Sequence, residues 1–163
     1  LKKAYELGFE YESKYGGCTQ CAIAAVFEAL GLEVDDSVFR AGTGLSGGLG
    51  LAGDGTCGAL LGASMVIGYL YPRTCREFSG EGEMQKAYRL VKELVDRFVR
   101  EYGSTSCKGV QERIFGRSFD LWEEFEEFLE AGGRRDKCTE VVGRTAMWAV
   151  DISMRAEEIL EDL

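Results

Sequence analysis

The chain has 163 residues, 45% of them hydrophobic, with 28 acidic against 19 basic residues for a formal charge of −9, six cysteines and no histidine. That size and apolar share suffice to bury a sizeable core, so residues 1–163 read as a single domain that needs no disulfide staples. The acid excess excludes a basic stripe for nucleic acid, and the missing imidazoles exclude Ser-His and Cys-His catalysis, histidine metal ligands and haem attachment.

Residues 1–15 form a polar amphipathic helix without an apolar secretory core, which predicts a reducing, cytoplasmic setting. After Gly16 and Gly17 come Cys18 and Cys21, and residues 21–30 read as an apolar helix that Gly31 terminates. Residues 34–41 supply one or two helical turns. From Ala41 to Pro72 the only charge is Asp54, and eight glycines fall between Gly42 and Gly58, so this stretch is expected to be buried or closely packed. Residues 57–70 are apolar but too short, and too rich in glycine at Gly58, Gly62 and Gly68, to cross a membrane. A core helix ended by Pro72 is predicted instead, with no membrane insertion.

Cys75 lies in the charged loop RTCREF and reads as a surface thiol or a small buried hydrophobe. Residues 83–102 carry the clearest amphipathic stripe, Ala87, Leu90, Val91, Leu94, Val95, Phe98 and Val99. Cys107 follows a Gly-Ser-rich helix end. Residues 119–130 set aromatic and leucine positions among six acids, closed by Gly132 and Gly133, with the acids as a solvated face and Trp122 in the core. A last long helix is predicted over residues 139–160, with Trp148 also in the core. The fold class is all-α, a bundle of about five to seven helices with a glycine-rich buried loop.

G-x-G-x-x-G occurs three times, at Gly42/Gly44/Gly47, Gly48/Gly50/Gly53 and Gly53/Gly55/Gly58, but no preceding strand or βαβ unit supports dinucleotide binding. Cys18-Thr19-Gln20-Cys21 has the spacing of a redox pair without the surrounding fold of one. A zinc site usually draws on two close cysteine pairs, whereas Cys57, Cys75, Cys107 and Cys138 are scattered singly. Most of the cysteines precede apolar-periodic runs, where free helix N–H groups stabilise thiolates and lower their pKa. Arg134, Arg135 and Lys137 would add to that effect at Cys138.

Cys21-Ala22, the block Cys57-Gly58-Ala59-Leu60-Leu61-Gly62, Cys107 and Cys138 together resemble the C_GCAxxG_C_C family of redox-active proteins, which is similar to the iron–sulfur-binding part of split-Soret cytochrome c. The resemblance implies four site cysteines, Cys21, Cys57, Cys107 and Cys138, in a redox role or as ligands of an iron–sulfur cluster of the 2Fe–2S type. Gly55 and Gly58 would let backbone amides approach its sulfides. Haem is not implied. The expected function is electron transfer to a protein redox partner, with a homodimer left open. Two alternatives stand beside it: a dithiol/disulfide oxidoreductase using Cys18 and Cys21 without a metal, and an interaction module stabilised by zinc on four thiolates.

Overall fold

Helices form wherever an apolar stripe meets a competent start and stop, and the computed structural model, which describes residues 1–80 and 82–163, resolves nine α-helices among them. They are α1 (Lys2–Lys14), α2 (Cys18–Ala29), α3 (Asp36–Ala41), α4 (Gly58–Leu70), α5 (Gln85–Tyr102), α6 (Cys107–Phe115), α7 (Phe125–Glu130), α8 (Cys138–Met154) and α9 (Ala156–Leu160). The described residues contain no strand, only an isolated antiparallel bridge between Thr56 and Ser106. No helix among them is long and apolar enough to cross a membrane. The fold is all-α.

The core is built on α2, α4 and α8, whose apolar residues recur at helical spacing: Ala22, Ile23, Val26 and Phe27 on α2, Ala59, Ala63, Val66 and Ile67 on α4, Val142, Ala146, Ala149 and Val150 on α8. Leu90, Leu94 and Phe98 of α5 are fully buried against them. Each such side chain contributes about 1.5–3 kcal/mol by leaving water. Small residues set how closely the axes approach. A Cβ on Gly8 of α1 would lie 2.9 Å from the Val142 carbonyl oxygen, one on Gly143 of α8 would lie 2.8 Å from that of Tyr5, and one on Gly62 of α4 would lie 2.2 Å from that of Thr19. These three contacts lock α1 to α8 and α2 to α4.

The structure corrects several sequence expectations. The helix predicted over residues 119–130 keeps only its second half, because Asp120 Oδ1 accepts from the N–H groups of Trp122 (2.9 Å) and Glu123 (3.3 Å) and holds a turn instead. Trp122 is consequently 72% exposed rather than in the core. The last long helix starts at Cys138 and breaks at Arg155, where the chain turns so that Ala156 of α9 packs against α5. Trp148 is half-buried beside Tyr102, with ring centroids 6.3 Å apart. The glycine-rich loop is buried on one side only. Gly42, Gly47, Gly48 and Gly53 are covered, while Leu49, Gly50, Ala52 and Asp54 face solvent.

A second, smaller cluster of Phe119, Leu121 and Phe128 sits apart from the main core, against Leu51, Phe115, Cys107 and Cys138. Phe119 is held there by its N–H, which donates to Gln111 Oε1 at 2.8 Å. A cavity lies between this cluster, the glycine loop and the starts of α2, α4 and α8.

Candidate functional site

Four chain segments deliver one cysteine each to that cavity. Gly16 and Gly17 have φ of 69° and 80°, a left-handed turn that only glycine adopts cheaply, so the chain leaves α1 and restarts at once as α2. Cys18 is therefore the first residue of α2, and Cys21 lies one turn further on, where its N–H donates to the Gly17 carbonyl at 3.0 Å. Cys57 caps α4, its N–H donating to Thr105 O at 2.7 Å. Cys107 opens α6, with its N–H on Gly55 O at 2.9 Å and the Ser106 hydroxyl accepting from Gly109 N–H at 3.0 Å. Cys138 opens α8 directly after a π-type turn, Gly133–Lys137.

The cavity measures about 310 Å³, and Cys18, Cys57, Cys107 and Cys138 all line it. Leu51, Leu121, Phe128 and Val142 make its walls apolar, and Glu12 and Arg134 contribute charge. Cys21 is not part of the lining; it is 4% exposed, and its Sγ donates to the Gly16 carbonyl at 3.1 Å. Cys75 lies on an exposed turn away from the cavity. All six thiols are free.

Of the two glycines singled out from the sequence, Gly58 lines the cavity, and a Cβ there would lie 2.3 Å from Cys18 Sγ. Gly55 does not line it. Its neighbour is the loop itself, since a Cβ would meet Gly48 O at 2.5 Å, and its carbonyl holds Cys107 N–H.

The expectation that every helix start would aim free N–H groups at its sulfur holds for two of the four. The Cys18 sulfur faces the N–H groups of Gly47 and Thr19 and the Ser46 hydroxyl, and the Cys57 sulfur faces those of Ala59 and Leu60. At α6 the first N–H groups are already spent on Gly55 O, Gly53 O and Ser106. At α8 the Cys138 N–H is spent on Gly133 O.

Lowered thiol pKa values were expected, and the opposite is found. Burial pushes Cys107 up to about 12 and raises Cys18, Cys57 and Cys138 as well, with neighbouring sulfurs adding to the effect at Cys57, Cys107 and Cys138. The nearby bases do not counter it at Cys138. Arg134 is turned towards α1, its Nε donating to Glu12 O at 3.1 Å, and Arg135 pairs with Asp136. The thiols are thus neutral at pH 7, and a cation binding among them must displace protons.

Cys18 lies outside the four-cysteine pattern of the family, which leaves it as an alternative ligand or a resolving thiol; the Gly16-Gly17 pair ahead of it marks where α2 begins, and the structure puts it on the cavity. Glu12 looked like one more acid on a polar helix. It continues the buried stripe of Ala4 and Gly8 at the next i+4 position, is 5% exposed, and its Oε2 has no hydrogen-bond partner among the described residues. Burial pushes its carboxyl up to about 7, partly offset by the Cys21 thiol and Arg134.

A carboxyl raised on folding leaves stability intact below its unfolded pKa and removes it as pH rises towards the folded value. The metal-free chain should therefore lose stability between about pH 4.5 and pH 7 on account of Glu12. Urea unfolding of the chain and of Glu12→Gln at pH 5 and pH 8 checks this: the variant should gain up to roughly 3 kcal/mol at pH 8 relative to its parent, and little at pH 5.

Comparison with known proteins places this site in context. No curated protein and no solved structure matches the chain. Residues 17–152 match the family described as "Putative redox-active protein (C_GCAxxG_C_C)", a stretch that begins one residue before Cys18 and contains all four cysteines of the cavity. The chain belongs to this C_GCAxxG_C_C family of redox-active proteins.

Proposed function

We propose that the protein is an electron carrier whose cavity holds an iron–sulfur centre of the 2Fe–2S type on Cys18, Cys57, Cys107 and Cys138. The observation that carries this reading is the meeting of four thiols, from four separate segments, on one largely apolar cavity of about 310 Å³. The resemblance to the iron–sulfur-binding part of split-Soret cytochrome c supports the choice of group, with Cys18 taking the place first given to Cys21.

Four thiolates are a donor set for a two-iron centre as they are for a zinc ion, and the two differ in geometry. Among the described residues no three His, Cys, Asp or Glu side chains stand close enough together to hold one metal ion, so either metal requires the thiols to draw together on binding. Zinc on four thiolates needs every sulfur about 2.3 Å from one point, whereas a two-iron centre shares four thiolates between two irons. When bound, the centre supplies a one-electron couple, taking one electron from a reduced partner and giving one to an oxidised partner.

The chain's own residues do the rest. The N–H groups facing Cys18 and Cys57 stabilise anionic sulfur and raise the potential. Leu51, Leu121 and Phe128 keep water away, which strengthens those interactions.

A second reading rests on Cys18 and Cys21 standing one helical turn apart with free thiols. In it the two thiols give up two electrons and two protons to a partner's disulfide, forming one S–S bond as the partner gains two thiols. A redox titration separates the readings. An electron carrier should bleach reversibly by one electron per chain with dithionite, whereas a dithiol enzyme should be colourless and yield a two-electron couple that alkylation of Cys18 and Cys21 abolishes.

A further inference from the structure

The cavity opens beside an exposed apolar stripe that the fold does not cover. Trp122, on the turn before α7, is 72% exposed, and Phe125 and Leu129, one turn apart on α7 itself, are 40% and 38% exposed, beside buried Leu121 and Phe128. Phe125 lines the cavity as well, as does Tyr15, which is 71% exposed. The Trp122 indole N–H donates to Gly50 O at 3.1 Å, so the ring is fixed against the glycine loop rather than free in water.

Charge within this segment has one sign, bounded by Arg117 before it and by Arg134, Arg135 and Lys137 after it. Residues 120–130 contain six acids and no base. Only Glu124 among them is paired, with Arg117, in the described ion pairs; Glu123, Glu126, Glu127 and Glu130 are exposed and outside them.

We propose that Trp122, Phe125 and Leu129 form the docking face for a basic redox-partner protein, which meets the stripe with apolar contacts and the surrounding carboxylates with lysines or arginines. This rests on the electron-carrier reading of the cavity. Aromatic residues fixed in a rim of like charge are what a short-lived, electrostatically steered contact uses: the charges set the encounter rate and the aromatic face the register. A second copy of this chain is the poorer occupant, since it would bring six acids against six. Anionic membranes and nucleic acids are disfavoured for the same reason.

The test measures association calorimetrically, with a lysine-rich cytochrome c in its oxidised form as the probe, at low and moderate salt. No electron need pass, so a failure of the iron–sulfur reading appears in the redox titration and not here. The triple variant E123Q/E126Q/E127Q should bind about tenfold more weakly at low salt and lose most of its salt dependence. W122S/L129S should bind several-fold more weakly at both salts. E157Q/E161Q/D162N changes charge equally on exposed positions beyond the far end of α8 and should stay within about twofold. Equal weakening by the distant triple would overturn the proposal. So would a dimer of the parent chain that W122S/L129S dissolves, because a second copy would then cover the face.

Discussion

Replacing Cys18 with serine should strip the reconstituted protein of its iron, at least about tenfold relative to the parent, while Cys21→Ser should keep most of it. The contrast follows from where α2 begins. Cys18 at its first position faces the cavity, and Cys21, one turn along, turns its sulfur back to the Gly16 carbonyl. Both variants exchange one sulfur for an oxygen and keep the shape of the side chain, so circular dichroism should show intact helices in each. Iron and acid-labile sulfide, measured after anaerobic reconstitution, supply the readout. Loss of iron from Cys21→Ser with retention by Cys18→Ser would reinstate the ligand set that the family resemblance implied.

Gly58→Ala should destabilise the fold and disturb the site at once. Its Cβ would lie 2.3 Å from Cys18 Sγ, 2.6 Å from Thr19 Oγ1 and 3.1 Å from Ser46 Cα, so the start of α2 or the glycine loop has to move. Overpacking of this kind costs about 1–3 kcal/mol, which for a chain of this length lowers Tm by roughly 2–4 °C per kcal/mol. The displaced Cys18 should take the iron with it. Gly68→Ala on the same helix is the matched control, because nothing lies within 4 Å of its Cβ. There the gain in helix propensity should raise stability by about 0.5–1 kcal/mol. Thermal unfolding of the two variants side by side checks the pair; equal destabilisation by both would remove Gly58 from any special role.

Much of this fold was legible because its signals were local. The stripe on α5 and the apolar run of α4 ending before Pro72 both depend on neighbours in sequence. Where expectation and structure part, a side chain answers a distant partner or a competing local one. Trp122 sits on a turn made by Asp120, and its indole reaches Gly50, seventy-two residues away. Hydropathy alone placed that ring in the core.

The site followed the same division. Cys57, Cys107 and Cys138 were recognisable as a set from the family pattern, and the structure brings them to one cavity. Which of Cys18 and Cys21 lines that cavity depends on Gly16 and Gly17, whose left-handed turns fix the phase of the helix that follows. The expected low thiol pKa values failed for a reason no spacing reveals. Helix ends favour thiolates only while they remain open, and at α6 and α8 the backbone donors are consumed by Gly55, Gly53 and Gly133 carbonyls. Burial then dominates. Glu12 was invisible in composition because a single acid on a polar helix has no signature until its neighbours at Ala4 and Gly8 are seen to be covered.

The most direct test of the account is the iron and sulfide content of the parent chain, expressed with iron supplied and purified without air. Two irons and two sulfides per chain, with a visible absorption that dithionite bleaches reversibly, is the result expected. A colourless protein that takes up zinc or no metal under those conditions, with its cysteines free or paired in disulfides, would contradict it.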